Sequence, residues 1–263
     1  MPELPEVETI VCGLRHLVGS SIIDVERSDP RLTLDVAALA GRRIERIYRR
    51  GKFIILDLSG GRTMVVHLRM SGRLVVSCRD EDLPYVRLRL VLDRGTISFV
   101  NPRRLGTVEL LPSGFSQRLG IDPMSDRFGP EALRAALATT RRPIKPALLD
   151  QRRIAGLGNI YAAEALWRAR ISPHRRADRL GPERLSALHR GIVEVLQEAL
   201  LHMGTSFGVS VSDYRDAAGE SGSFGERLAV YGREGAACPR CGAPVVRDIQ
   251  SGRSTYWCSG CQL

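Results

Sequence analysis

Apolar side chains recur at helical spacing from Pro5 to about Val18, where Val7, Ile10, Val11, Leu14, Leu17 and Val18 share one face. Pro5 suits a first helical turn, and Glu6 and Glu8 follow close behind it. The pattern predicts a buried amphipathic helix that carries reactive groups at its positive end. Beyond it the period falls from that of a helix to that of a strand. Segments 44–48, 53–58, 63–68, 73–77, 86–92, 96–100 and 107–111 are short and β-rich, and several alternate in polarity. Gly-Gly and Asp-Arg-Gly turns separate some of them, so the region predicts an antiparallel sandwich. After the Pro/Gly-rich stretch 112–130, helical periodicity returns at 131–138, 145–151, 159–169 and 183–203. In the last of these Leu185, Leu188, Ile192, Leu196, Ala199, Leu200 and Met203 form one face. Residues 206–225 are rich in Gly, Ser and Asp and read as a mobile stretch before a cysteine-bearing tail. No internal repeat is visible.

Composition narrows the partner. The 263 residues, 43% of them hydrophobic, suffice for a core in one large domain, or in two with a small appendage. Lys and Arg number 39 against 29 Asp and Glu, a net charge of +10, which favours a polyanion or an anionic membrane surface. No basic amphipathic anchor appears, nor an apolar run of about 18 residues, which leaves nucleic acid as the better fit. The first residues are acidic rather than basic-then-apolar, so a cytoplasmic location is expected. Nearly all the positive charge is arginine. The lysines are Lys52 and Lys145, and a compact ammonium does different work from a planar guanidinium.

The tail carries Cys238-Pro-Arg-Cys241 and Cys258-Ser-Gly-Cys261, with residues 242–257 between the pairs. That spacing fits a four-thiolate zinc site on two knuckles, in preference to disulfides or redox dithiols in a cytoplasmic chain. A closed four-Cys site leaves no coordination position for substrate, so one structural Zn2+ would aim what lies between the knuckles: Arg247, Arg253, Thr255, Tyr256 and Trp257. Cys12 and Cys78 read as ordinary thiols. At the other end, loss of Met1 would leave Pro2 as a secondary amine. An α-amino group is partly unprotonated near neutrality, and its adduct with an aldehyde-like carbon is a permanently cationic iminium that acts as an electron sink. Position alone favours a merely stiff residue after the initiator.

PELPEVET at the start, HLRMSG at 67–72, NPRRLG at 101–106, GLGNIYAAE at 156–164 and the four-Cys tail occur in one order. Together they resemble the bacterial formamidopyrimidine-DNA glycosylases, which remove 8-oxoguanine and ring-opened purines from DNA. The resemblance spans essentially the whole chain. It implies an α+β multidomain fold: an N-terminal antiparallel β-sandwich with a flanking helix over 1–112, a linker over 113–130, a helical helix-two-turns-helix domain with a lesion-capping loop over 131–225, and a zinc finger over 226–263. It further implies damaged double-stranded DNA between the halves, and a monomer acting as glycosylase and abasic-site lyase. The resemblance assigns Pro2 as the nucleophile at C1′, Glu3 as general acid/base, and Lys52 and Arg253 to phosphate binding and to the β- and δ-eliminations. Glu6 matches the family's second acidic residue, alongside its reading as a first-turn charge. Asn159 matches a phosphate clamp at a helix start, and His67, Arg104 and Arg142 are backbone contacts. Lys145 is open between packing and phosphate. A base must be everted to be reached, and Met70, Arg103 and Leu105 match the side chains that plug the stack and read the orphaned base.

This chain departs from the family in carrying Leu105 where a Phe is usual, and Asp82-Leu83-Pro84-Tyr85 where a DNA-contacting His is usual. Two alternatives follow. One is an endonuclease VIII-like enzyme for oxidised pyrimidines, against which PELPE rather than PEGPE stands. The other is a non-catalytic lesion binder, against which the complete set Pro2, Glu3, Lys52 and Arg253 stands.

Overall fold

In a computed structural model the described residues are 1–77, 83–112, 114–115, 117–207 and 214–263. Contacts divide the chain into two compact units, Met1–Gln117 with Leu200–Gly225, and Arg118–Ala199 with Glu226–Leu263.

The first unit opens with α1, Leu4–Leu14, followed by a single 3-10 turn at Arg15–Leu17. The Leu17 and Val18 of the predicted helix thus lie in and after a tighter turn. Eight strands follow: β1 Ile22–Arg27, β2 Ile44–Arg50, β3 Phe53–Leu58, β4 Arg62–His67, β5 Arg73–Ser77, β6 Val86–Leu92, β7 Gly95–Val100 and β8 Thr107–Leu111. They form two four-stranded antiparallel sheets, ordered β1-β6-β7-β5 and β2-β3-β4-β8. One apolar cluster joins both sheets to α1, drawing Ile10 and Leu14 from the helix, Leu90 and Phe99 from one sheet, and Ile54 and Val66 from the other. The strand β1 escapes the sequence pattern. It is an edge strand in which only Ile22 is buried, and Ile23 is left 62% exposed, so it has no inward period of two.

The segment Leu200–Gly225 packs with the sandwich, whereas the sequence reading grouped residues 131–225 as one helical domain. The cause is long-range. Thr205 N–H donates to Glu6 Oε1, Val76 N–H donates to the Ala217 carbonyl, and Ala217 sits where a Cβ on Gly13 would fall 2.8 Å away. Cys78 and Asp82 lie outside the described residues, as do residues 208–213 of the expected capping loop.

The second unit contains α2 Pro130–Ala138, α3 Ile144–Leu148, α4 Asn159–Arg168 and most of α5, Pro182–Leu201, then the hairpin β9 Val245–Gln250 and β10 Arg253–Cys258. Helix α3 stops before the predicted residue 151 because side chains take over its backbone partners. Asp150 Oδ1 accepts the Arg152 N–H and Gln151 Oε1 accepts the Gly156 N–H. The cysteine module is moored to α4. Glu164, buried on that helix, accepts the N–H groups of Ala229, Val230 and Tyr231 at 2.9 Å each, while burial pushes its carboxyl pKa up. Among the described residues no helix is long and apolar enough to cross a membrane.

Truncating Glu164 strands three amides packed against α4. Glu164→Ala is expected to lower the unfolding free energy by about 3 kcal/mol. Glu164→Gln keeps the oxygen that serves Val230 and Tyr231, so it should cost about 1 kcal/mol. Urea denaturation of the two variants checks the order.

Candidate active site

The N-terminal residues are fixed by reciprocal capping. Glu3 is the N-cap of α1, and its carboxylate accepts the Glu6 backbone N–H while Glu6 Oε2 accepts the Glu3 N–H at 2.8 Å. The other oxygen of Glu6 accepts the Thr205 N–H at 2.8 Å. Gly204, at φ +83°, allows this approach, since a Cβ there would come within 2.8 Å of Glu6 Oε1. Glu3 and Glu6 are each 2% exposed and Pro2 is buried with them, whereas Met1 is 40% exposed. A carboxylate is therefore anchored next to Pro2, and Met1 can be removed without opening the core. Glu6 is more than a first-turn charge; it ties the start of the chain to residues beyond α5.

Lys52 and His67 belong to the sheet beside α1. Lys52 is 6% exposed at the β2–β3 turn, which Arg49 braces by donating to the Gly51 carbonyl at 3.1 Å and pairing with Glu8 at 2.9 Å. On the next strand His67 faces Phe53, with the rings edge-on at 4.6 Å. Burial, with help from Arg69 and Lys52, drives the His67 pKa from 6.5 down to about 4. Its Nδ1 accepts the Arg69 N–H at 3.0 Å, so the neutral ring keeps its proton on Nε2. His67 is thus an uncharged N–H donor at neutral pH.

Two loops leave the same end of one sheet, because His67 pairs with Thr107 where β4 and β8 meet. Each loop places a non-glycine residue in left-handed backbone, Arg69 and Arg104 both at φ 53°, immediately before an exposed apolar side chain. Such a conformation costs about 1 kcal/mol or more and persists only when its surroundings enforce it. The side chains so presented, Met70 and Leu105, are each 46% exposed, and Arg103 is exposed beside the latter. Gly106 closes the second loop where a Cβ would meet the Phe99 ring at 2.8 Å. Met70 thus leaves one loop and Arg103, Arg104 and Leu105 the other, at one end of the sheet. Sequence reasoning passed over Asn101, whose Nδ2 donates to the Gly106 carbonyl; its signal was its place at the head of NPRRLG.

In the second unit Lys145 is 1% exposed, and its ammonium donates to Asn159 Oδ1 at 2.7 Å, the Ser254 carbonyl at 2.8 Å and Thr255 Oγ1 at 2.9 Å. Asn159 Nδ2 donates to the same carbonyl at 3.0 Å. Asn159 therefore does not cap its own helix, whose N-cap is Gly158. Three ammonium protons thus meet three acceptors, and Lys145 braces the hairpin. Arg253 follows the two-residue turn Ser251-Gly252, both at positive φ, and is exposed. Arg253 lines a pocket of about 400 Å3 together with Arg142, Arg152 and Ser251. A concave surface carrying three guanidinium groups suits phosphate oxygens.

The thiols of Cys238, Cys241, Cys258 and Cys261 lie within 4.8 Å of one another. Distances of 3.8 Å for Cys238–Cys261 and 3.4 Å for Cys241–Cys258 are close to the edge of a tetrahedron built on Zn–S bonds of about 2.3 Å. The donor set fits one structural zinc.

The chain matches the formamidopyrimidine-DNA glycosylase N-terminal domain over residues 1–108, the formamidopyrimidine-DNA glycosylase H2TH domain over 119–210, and the zinc finger found in FPG and IleRS over 235–263. It is 42% identical over 281 residues to the formamidopyrimidine-DNA glycosylase of Desulforamulus reducens, covering 100% of this chain and 99% of that one. The crystal structure of the MutM (FPG) protein of Thermus thermophilus superposes with a TM-score of 0.90 at 43% identity, over 99% and 98% of the two chains. A point mutant of the Lactococcus lactis FPG, in complex with Fapy-dG containing DNA, superposes with a TM-score of 0.90 at 34% identity, over 99% of each.

Two measurements test this geometry. Both tryptophans report on the zinc module, Trp167 through Cys238 and Trp257 from β10. Chelation or Cys241→Ser should release one zinc per chain by atomic absorption and collapse the near-UV tryptophan ellipticity. His67 gives a pH signature. Between pH 6.5 and about 4 the unfolded imidazole is protonated and the folded one is not, so stability falls as pH drops through that window. His67→Gln should flatten this part of the profile, as followed by thermal unfolding at pH 7, 5.5 and 4.5.

Proposed function

The chain belongs to the formamidopyrimidine-DNA glycosylase family, and from that premise we propose how its residues carry out base-excision repair on duplex DNA. With Met1 removed, the Pro2 nitrogen attacks C1′ of the damaged nucleotide as the C1′–base bond breaks. The base leaves with the bonding electrons and takes a proton from water, the Glu3 carboxylate removes the Pro2 N–H proton and passes it to the sugar ring oxygen, the C1′–O bond breaks, and a Pro2 iminium remains. The iminium draws off the electrons of a C2′–H bond, so that the 3′-phosphate leaves by β-elimination; a second loss expels the 5′-phosphate by δ-elimination. Lys52 and Arg253 bind the flanking phosphates and assist these proton transfers. His67, Arg104, Arg142 and Asn159 grip the backbone, with Asn159 contributing through the helix start it occupies. Met70 and Leu105 fill the gap left by the everted base, and Arg103 pairs with the orphaned partner. Lys145 acts at one remove, by holding the hairpin that bears Arg253.

The observation that carries this reading is the anchored pair at the start of the chain: Pro2 buried next to a Glu3 that α1 fixes through Glu6. A purely DNA-binding paralogue has no need of a buried carboxylate beside a potential amine. The substrate class follows the family, ring-opened and oxidised purines, and the relative solved with Fapy-dG DNA supports it. A cytoplasmic location accords with action on chromosomal DNA.

Borohydride should trap the mature protein covalently on duplexes carrying 8-oxoguanine or an abasic site opposite cytosine, with the intact mass showing Met1 absent. Pro2→Gly should abolish trapping, and Glu3→Gln should slow base release by about 100-fold or more. Mature wild-type protein that forms no adduct on either duplex sinks the mechanism.

A further inference from the structure

The loop 101–106 poses a physical question. Arg104 holds left-handed backbone, a conformation for which arginine has no local preference, and its side chain is 41% exposed. Packing does not wedge it in place. A pocket of about 350 Å3 opens along Asp29, Arg31, Asn101, Arg104 and Leu105. What reaches it there is charge: Asp29, whose side chain is 4% exposed, brings Oδ2 to 3.6 Å from Arg104 Nε. The other oxygen, Oδ1, accepts the Arg31 N–H at 3.1 Å, and the Asp29 carbonyl accepts the Leu32 N–H, so the carboxylate is pinned in its own tight turn. From the other side the Arg104 N–H donates to the Asn101 carbonyl at 3.2 Å, and Asn101 spans to Gly106. A carboxylate taken out of water beside a half-exposed guanidinium is a costly arrangement unless the pair has a set geometry to hold.

We propose that Asp29 is a positioning residue for recognition of the strand opposite the lesion. Its buried carboxylate fixes Arg104, and through the backbone at that residue it fixes the direction in which Arg103 and Leu105 leave the loop. The inference rests on the reading that this loop meets the orphaned base. Asp29 touches no reacting atom, so the covalent steps on Pro2 do not need it. Without Asp29, Arg104 can leave the left-handed basin, and its two neighbours then present to any opposite base with similar success.

The test uses the full chain and single-turnover excision of 8-oxoguanine opposite cytosine and opposite adenine, with trapping on an abasic duplex alongside. Asp29→Asn is expected to lower the cytosine-over-adenine rate ratio by about 5-fold while abasic trapping persists. General destabilisation would depress both rates together and leave the ratio alone. In an Arg104→Gln background the Asp29→Asn change should alter the ratio no further, because its partner is gone. Asp29→Glu keeps the charge but displaces it, and should lose selectivity in the same direction if asparagine proves too disruptive to fold. An unchanged ratio in a folded Asp29 variant that still traps, or an additive loss in the double variant, overturns the inference. Wild-type protein that fails to trap overturns the reading beneath it, and the inference with that reading.

Discussion

The carboxylate of Glu6 is the point on which the catalytic half of the molecule turns. One of its oxygens fixes the first turn of α1 through Glu3, and the other takes the Thr205 N–H from the far side of the chain. Because both bonds are buried, each amide would be stranded without it, and an unpaired buried amide costs about 1–3 kcal/mol. The same contact aligns the local and the non-local: a capping interaction that any helix can make becomes the joint between the chain's first residues and the segment after α5. Gly204 is required on steric grounds, since its positive φ and missing Cβ let the backbone approach that carboxylate.

The sandwich was legible through its short β-rich runs: β6 alternates in burial, whereas β3 and β4 are buried on both faces and read as nearly continuous apolar stretches. Strands β3, β5, β6 and β8 fall at the expected residues. The edge strand β1 was not legible, since a strand with one buried side chain has nothing to alternate. Site residues divide along the same line. Pro2, Glu3, Lys52 and the four cysteines stand in short motifs whose chemistry is local, whereas the roles of Glu6, Lys145 and Asp29 depend on partners far along the chain. Lys145 finds its acceptors at Ser254 and Thr255, and Asp29 meets Arg104, separations at which composition and spacing carry no signal. The motif marks a residue; only the fold shows which distant partners hold it.

The two lysines make that distinction concrete. Both are buried, one in a hairpin turn of the sandwich and the other on a helix of the second unit. Lys145 faces a carbonyl, a hydroxyl and an amide oxygen, which together satisfy its three protons and make it an internal fastener. Lys52 stands in the hairpin turn near His67, whose protonation its charge opposes. His67, kept neutral with its proton on Nε2, can donate that N–H to a phosphate oxygen.

The same logic governs the exposed apolar residues. Met70 and Leu105 would gain contacts by folding back onto the sheet, since each leaves nearly half its surface in water. Left-handed backbone at the preceding arginine prevents this, held in one loop by the His67 ring and in the other by Asn101 and Asp29. The left-handed backbone thus keeps apolar surface out of the core, and in the proposed function the burial forgone in the free protein is recovered when bases stack against it, at about 25 cal/mol per Å2. Leu105 offers less area than an aromatic and no ring to stack, so the direction in which it leaves the loop matters more than it would for phenylalanine. In the proposed function a smaller wedge depends more heavily on the residues that aim it.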